Sequence, residues 1–168
     1  MEWPEFAATS LWRGIWREDW RFEPVDLVTV ADYVGVEILT WHPEEEKLNG
    51  ALIRNAGTVF VNASLTRPRM RFAAAHEIGH YVLGHEGDLF CPYGRYAVQE
   101  REANLFAAAL LIPAAVIKLF WLKLSNIAPA VRVAVVAERL AVSRQALSYR
   151  LETVGMAGRA ARGWPCLA

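Results

Sequence analysis

Cysteine is nearly missing from this chain. Cys91 and Cys166 are the only two, which excludes a disulfide framework and, at that spacing, a cysteine-pair metal site. An excess of one charge is missing as well. Eighteen Lys and Arg stand against 18 Asp and Glu, so the basic surplus that marks proteins gripping nucleic acid or an acidic membrane face is not there. No apolar run is long enough to span a bilayer, because Leu105 to Ile117 falls short of the roughly 20 residues required and is interrupted by Pro113. The N-terminus places Glu2 and Glu5 ahead of any basic residue and has no clean apolar stretch of the secretory type. Repeats, low-complexity tracts and flexible linkers are absent too. Together these absences lead to the expectation of a cytoplasmic protein with no membrane attachment.

What the chain does contain is apolar mass. With 54% hydrophobic residues in 168, it can bury one sizeable core. Trp3, Trp12, Trp16 and Trp20 crowd the first 20 residues, leaving only Trp41, Trp121 and Trp164 for the remainder. Trp12, Ile15, Trp16 and Trp20 recur at helical spacing, which predicts an amphipathic helix over residues 5–21. A second helix is expected from Val25 to Val34, between Pro24 and Gly35. Three short β-prone runs follow, at Val36 to Trp41, Gly50 to Arg54 and Thr58 to Asn62, and predict a small, mostly antiparallel sheet. A helix capped by Thr66 then runs to Gly84, and a polar loop covers His85 to Tyr96. Another helix occupies Ala97 to Leu111, and a helical tail is punctuated by Pro113 and Pro129. The expected class is α+β, with a Trp-rich helix in residues 1–23 and one compact domain in residues 24–168.

The helix before Gly84 contains His76-Glu77-Ile78-Gly79-His80, an HExxH motif. Residues four apart on an α-helix share a face, so two imidazoles can meet one Zn²⁺ at about 2.0–2.1 Å without backbone distortion. Glu77, beside them, is placed to take a proton from an attacking water and pass it to a leaving amine. The Ala-rich setting implies burial, where unpartnered imidazoles and a carboxylate are costly, and this argues for a metal. By geometry a His-His-Glu site accepts Zn²⁺ or Mn²⁺.

A third ligand is needed. The positions that would extend the motif in a metzincin hold Leu83 and Glu86, so that reading fails on register. Downstream, Glu100, Asn104, Ala107 and Leu111 form one helical stripe, which makes Glu100 the candidate ligand and Asn104 the candidate acceptor for a ligating histidine's free ring N–H. Glu102 lies on another side and is held in reserve. Tyr81, His85, Tyr93 and Arg95 are candidates for a donor that stabilises the developing oxyanion, Tyr81 and His85 being retained as catalytic candidates beside Glu77. Cys91 is near enough in sequence to be weighed as an inhibitory thiolate, against a plain buried cysteine.

The segment Met70 to Gly84, with RFAAAHEIGHYVLG, followed by EREANLFAAALLIP from Glu100 to Pro113, resembles the ImmA/IrrE family of zinc metallopeptidases. Pro24-Val25-Asp26-Leu27, Gly35-Val36, GTVFVNASLTRPRMRF and LAVSRQALSYRLETVG agree with it, so the resemblance spans about residues 24–156. It implies a gluzincin-like site in which His76, His80 and Glu100 bind zinc and Glu77 is the catalytic acid and base. It further implies a protein substrate, a DNA-binding repressor whose cleavage switches on stress-response or mobile-element genes.

Residues 131–151 read as two short helices across a tight turn, with Ser143 as N-cap of the second, a helix-turn-helix-like pattern. Arg144, Gln145, Ser148 and Arg150 are expected to face outward. The local surplus of two positive charges and Ala141 at the turn argue for packing or substrate docking over DNA binding. Two functions of different class therefore stand: a zinc endopeptidase, and a non-proteolytic DNA- or protein-binding regulator with a structural or sensory zinc. The tryptophan stripe is expected to pack on the core, or to dock a partner or a second copy of the chain.

Overall fold

The computed structural model describes residues 2–17, 22–44, 48–85 and 97–156. Helix α1, Trp3–Ile15, starts with Pro4 in its first turn and buries Pro4, Ala8, Leu11 and Ile15, one residue per turn. The stripe it buries is therefore aliphatic. Trp3 and Phe6 stack on each other in solvent at 6.0 Å, while Trp12 is half-buried and touches the core. Helix α1 is shorter than the spacing predicts, since Trp16 already has extended backbone at the C-cap. Trp20 lies outside the described residues.

Helix α2, Leu27–Val34, opens where the Asp26 carboxylate accepts the Val28 N–H at 3.1 Å and closes at Gly35, whose φ of +78° suits glycine. Strands β1 (Glu37–Trp41), β2 (Gly50–Ile53) and β3 (Thr58–Asn62) form one sheet in the order β1-β3-β2. β2 and β3 make the antiparallel pair expected of their short connection, a 3₁₀ turn at Arg54–Ala56 ending in Gly57. β1 pairs with β3 in parallel, so the sheet is mixed and not mostly antiparallel. The cause is that β3 inserts between its two predecessors. Buried Asn62 pins the segment that crosses its end, donating from Nδ2 to the Leu48 carbonyl while its Oδ1 accepts the Ser64 N–H.

Helix α3, Arg67–Val82, packs on β2 and β3, and α4, Ala97–Leu111, packs on α3. Thr66 occupies the N-cap of α3 as expected, but its side chain makes no capping hydrogen bond. Helix α1 covers α4 from the other side, so Ile78, Phe106 and Leu110 end in one core with Ala8 and Leu11. Helices α5 (Ala114–Lys123), α6 (Pro129–Arg139) and α7 (Arg144–Thr153) complete the described residues. Ser143 caps α7 by accepting the Ala146 N–H at 3.0 Å, and Ala141 takes a φ of +51° in the turn before it. Arg150 does not face outward. It is buried, its Nε donates to the Ile112 carbonyl at 3.2 Å, and its guanidinium pairs with Glu5 of α1. Among the described residues no single helix is long and apolar enough to cross a membrane.

Candidate metal centre

Two glycines make room for the site. Gly79 lies inside α3, where glycine costs roughly 1 kcal/mol against alanine, so a packing reason is expected. A Cβ there would sit 3.0 Å from Phe106 Cδ1 and 3.3 Å from the Ala103 carbonyl oxygen. Its absence lets α3 and α4 approach closely enough for Glu100 to reach both histidines. Gly50, at the start of β2, gives Glu77 its space, because a Cβ there would lie 3.0 Å from both Cγ and Oε1 of Glu77. Neither glycine is marked by the ligand spacing, although a glycine within HEIGH is a legible signal.

His76 and His80 turn their Nε2 atoms toward each other at 3.0 Å. Glu100 completes a triangle, its Oε2 lying 3.3 Å from His76 Nε2 and its Oε1 3.3 Å from His80 Nε2. Two ligands at about 2.05 Å from a tetrahedral ion are separated by about 3.3 Å, so the three donors are spaced as a zinc-sized cation requires. All their ligand atoms fall within 4.8 Å of one another. The donor set of two imidazoles and one carboxylate suits Zn²⁺ and accepts Mn²⁺.

The remaining ring nitrogens are occupied. His76 Nδ1 lies 3.0 Å from Asn104 Oδ1, His80 Nδ1 lies 3.0 Å from His85 Nδ1, and His85 Nε2 lies 3.0 Å from Glu102 Oε2. One set of tautomers satisfies every pair: His76 Nδ1–H donates to Asn104, His80 Nδ1–H to His85, and His85 Nε2–H to Glu102. Both Nε2 lone pairs are then free to face a cation. The Arg54 guanidinium secures the helix end beneath, donating to the carbonyls of His80 at 2.6 Å and His85 at 2.9 Å, where the helix dipole favours a cation.

Glu77 is buried, and its Oε2 has no hydrogen-bond partner among the described residues. Burial pushes its carboxyl up to about 7, the nearby Glu100 charge adding to the effect and His76 opposing it. His80 is pushed down to about 4, first by burial and then by its neighbour His76. Burial also opposes charge on His76, but the hydrogen bond to Glu100 and the Glu77 and Glu100 charges outweigh it and raise its pKa. Glu100 is held below the usual carboxylate range, chiefly by its hydrogen bond with His76, against the effect of burial.

The centre opens into a cleft of about 940 Å³, lined at this end by His76, Glu77, Glu100 and Asn104. His85 does not line it, since it stands behind His80. Tyr81 does not line it either, as its ring lies under the Arg54 guanidinium, 5.3 Å from the centroid. Glu102 reaches His85 rather than the three-donor triangle. Cys91, Tyr93, Arg95 and Glu86 lie outside the described residues.

The family model for the IrrE N-terminal-like domain, a peptidase family, matches residues 31–152. Among solved structures, the chain is similar to a Mycobacterium tuberculosis transcriptional regulator, with a TM-score of 0.65 and 15% identity over 96% of this chain and 49% of that one. The chain thus spans about half the length of that regulator, and at this identity the likeness is one of fold. Among curated proteins there is no significant match.

Proposed function

The chain belongs to the IrrE N-terminal-like peptidase family, and from that premise we propose that it is a zinc-dependent endopeptidase hydrolysing a peptide bond in a protein substrate. The observation that carries this reading is the triangle of His76, His80 and Glu100 set beside the unpartnered, buried carboxyl of Glu77. The three donors would hold the ion. Zinc bound there supplies Lewis acidity toward the scissile carbonyl and makes water acidic enough to attack near neutral pH.

The chain's own groups do the rest. Glu77, buried beside the three donors with one carboxyl oxygen unpartnered among the described residues, is placed to accept the water's proton and to pass it to the leaving amine. Its own burial keeps competing solvent from the carboxyl. Asn104 orients His76, and the pair His85–Glu102 orients His80, fixing the tautomers that face the ion. Tyr81 supports the end of α3 through Arg54 rather than acting on substrate.

The substrate proposed is a DNA-binding transcriptional repressor, acted on in the cytoplasm. The family resemblance supports it, as does the regulator whose fold this chain shares. The test is metal analysis of the purified protein together with cleavage of candidate repressors by wild type and Glu77→Gln. The expected result is one zinc per chain in both proteins, with cleavage reduced 10²–10⁴-fold in the variant, about the worth of a general base. Equal cleavage by the two proteins overturns the mechanism. Zinc binding without cleavage of any repressor by wild type favours the second reading, a regulator whose zinc is structural or sensory.

A further inference from the structure

The cleft that begins at the metal centre changes character along its length. Helix α4 lines it from end to end at helical spacing, with Glu100, Arg101 and Asn104 near the metal donors and Leu105, Ala108 and Leu111 farther on. The far end is closed by the start of α7, through Val142, Ser143, Gln145, Ala146 and Tyr149. None of these far-end residues carries a charge, Ser143 and Gln145 supply its polar edge, and Tyr149 is left 54% exposed at the mouth. An aromatic ring held at the rim of an apolar recess is poised to cover something. Nucleic acid is a poor occupant, because phosphate recognition requires cations and this end has none among its described lining residues. The end wall is also rigid, since buried Arg150 ties α7 to the Ile112 carbonyl and to Glu5.

We propose that this end of the cleft is a specificity subsite for one bulky apolar side chain of the same extended peptide whose carbonyl is cleaved. The inference rests on the peptidase reading above and adds to it a sequence preference. Its distance follows from the helix. From Glu100 to Ala108 the rise along α4 is roughly 12 Å at about 1.5 Å per residue, and an extended peptide covers about 3.3 Å per residue. The apolar side chain therefore belongs about four residues from the scissile bond. The first turn of α7, which the sequence offers as the start of a recognition helix, is in this account spent on reading a peptide.

The experiment uses the zinc-loaded full chain and serine-based peptides that carry a metal-binding hydroxamate at one end, with a single leucine moved outward one position at a time. Two series, with the hydroxamate at the C-terminus or the N-terminus, probe the two sides of the scissile bond. Affinity is measured by calorimetry. In one series it is expected to peak with leucine at the fourth position, within one residue, by roughly tenfold or more over the all-serine peptide, the worth of burying one leucine side chain. Ala146→Glu is expected to flatten that peak, and Tyr149→Ser, at an exposed position that does not threaten folding, to lower it. Profiles flat in both series, with hydroxamate still bound only when zinc is present, overturn the subsite while leaving the metal site standing. Failure of the zinc-loaded protein to bind any hydroxamate overturns the subsite and the peptidase reading together.

Discussion

Helices α1 and α3 both pack against α4, yet they bury opposite things. Helix α1 hides Ala8, Leu11 and Ile15 and leaves Trp3 and Phe6 in water, whereas α3 hides Glu77 and His80 beside Ala74 and Ile78. In α1 transfer free energy decides which side faces inward. In α3 that rule is overruled, and its buried side-chain polar atoms, apart from Glu77 Oε2 and Arg71 Nε, have partners among described atoms. A helix whose amphipathic pattern is weak but whose buried polar groups converge is thereby marked as the working one.

The contrast is not complete, because α1 contributes one charge to the interior. Glu5 pairs with Arg150, which is only 4% exposed. Glu5→Ala should therefore behave as a core substitution despite its place on a surface helix, lowering unfolding free energy by about 3 kcal/mol through the charge left unpaired. Denaturant melts measure this, and an effect within the ~0.5 kcal/mol range of ordinary surface changes would place Arg150 in solvent contact instead.

On the α3 side, the sharpest test is acidity in metal-free protein. A carboxyl whose folded pKa, about 7, exceeds its unfolded value of 4.5 favours the fold fully only below 4.5, and that contribution is lost as pH rises through 7. Metal-free Glu77→Gln, which cannot ionise, should accordingly be more stable than wild type at pH 8, by about 3 kcal/mol, with the gap closing by pH 4.5. Thermal melts across that range report it. A gap that is constant with pH would mean that Glu77 ionises freely.

A smaller effect separates His85 from its neighbours. His85→Phe keeps the ring volume but cannot accept from His80, so zinc affinity should fall 10–100-fold in chelator competition, the usual cost of losing such a support. Glu102→Gln, which still offers an oxygen to His85, should lose less than Glu102→Ala. Unchanged affinity in His85→Phe would leave His80 without need of orientation. Smallest of all, Trp3→Ser with Phe6→Ser should alter stability by no more than about 0.5 kcal/mol, since both rings are exposed. A change in oligomer size on light scattering would instead assign the stacked pair to an interface between copies of the chain.

The legible part of this molecule was the part built from local spacing. HExxH and the stripe through Glu100 and Asn104 are each contained within one helix, and the three donors meet as those spacings require. Ser143 and Gly35 act where capping rules put them. What was hidden depends on distant partners. The parallel pairing of β1 with β3 turns on which strand inserts last, a property no alternation pattern carries. Arg150 looks like an outward base in sequence and is buried because Glu5, far away along the chain, meets it. The tryptophans drew attention by their number, while the contacts of α1 were set by smaller residues between them.

The close approach at Gly79 bears on the metal centre. The glycine touches no donor atom, yet a Cβ on it would sit 3.0 Å from Phe106, so its lack of one permits the close packing that brings α4, and Glu100 with it, to the imidazoles on α3. Coordination distances tolerate only about 0.2 Å. A methyl group at position 79 would press on Phe106 and on the Ala103 carbonyl, which must give by a few tenths of an ångström, and any shift of α4 carries Glu100 with it. A hydrogen-for-methyl choice on a residue that coordinates nothing thus bears on how the three donors are spaced.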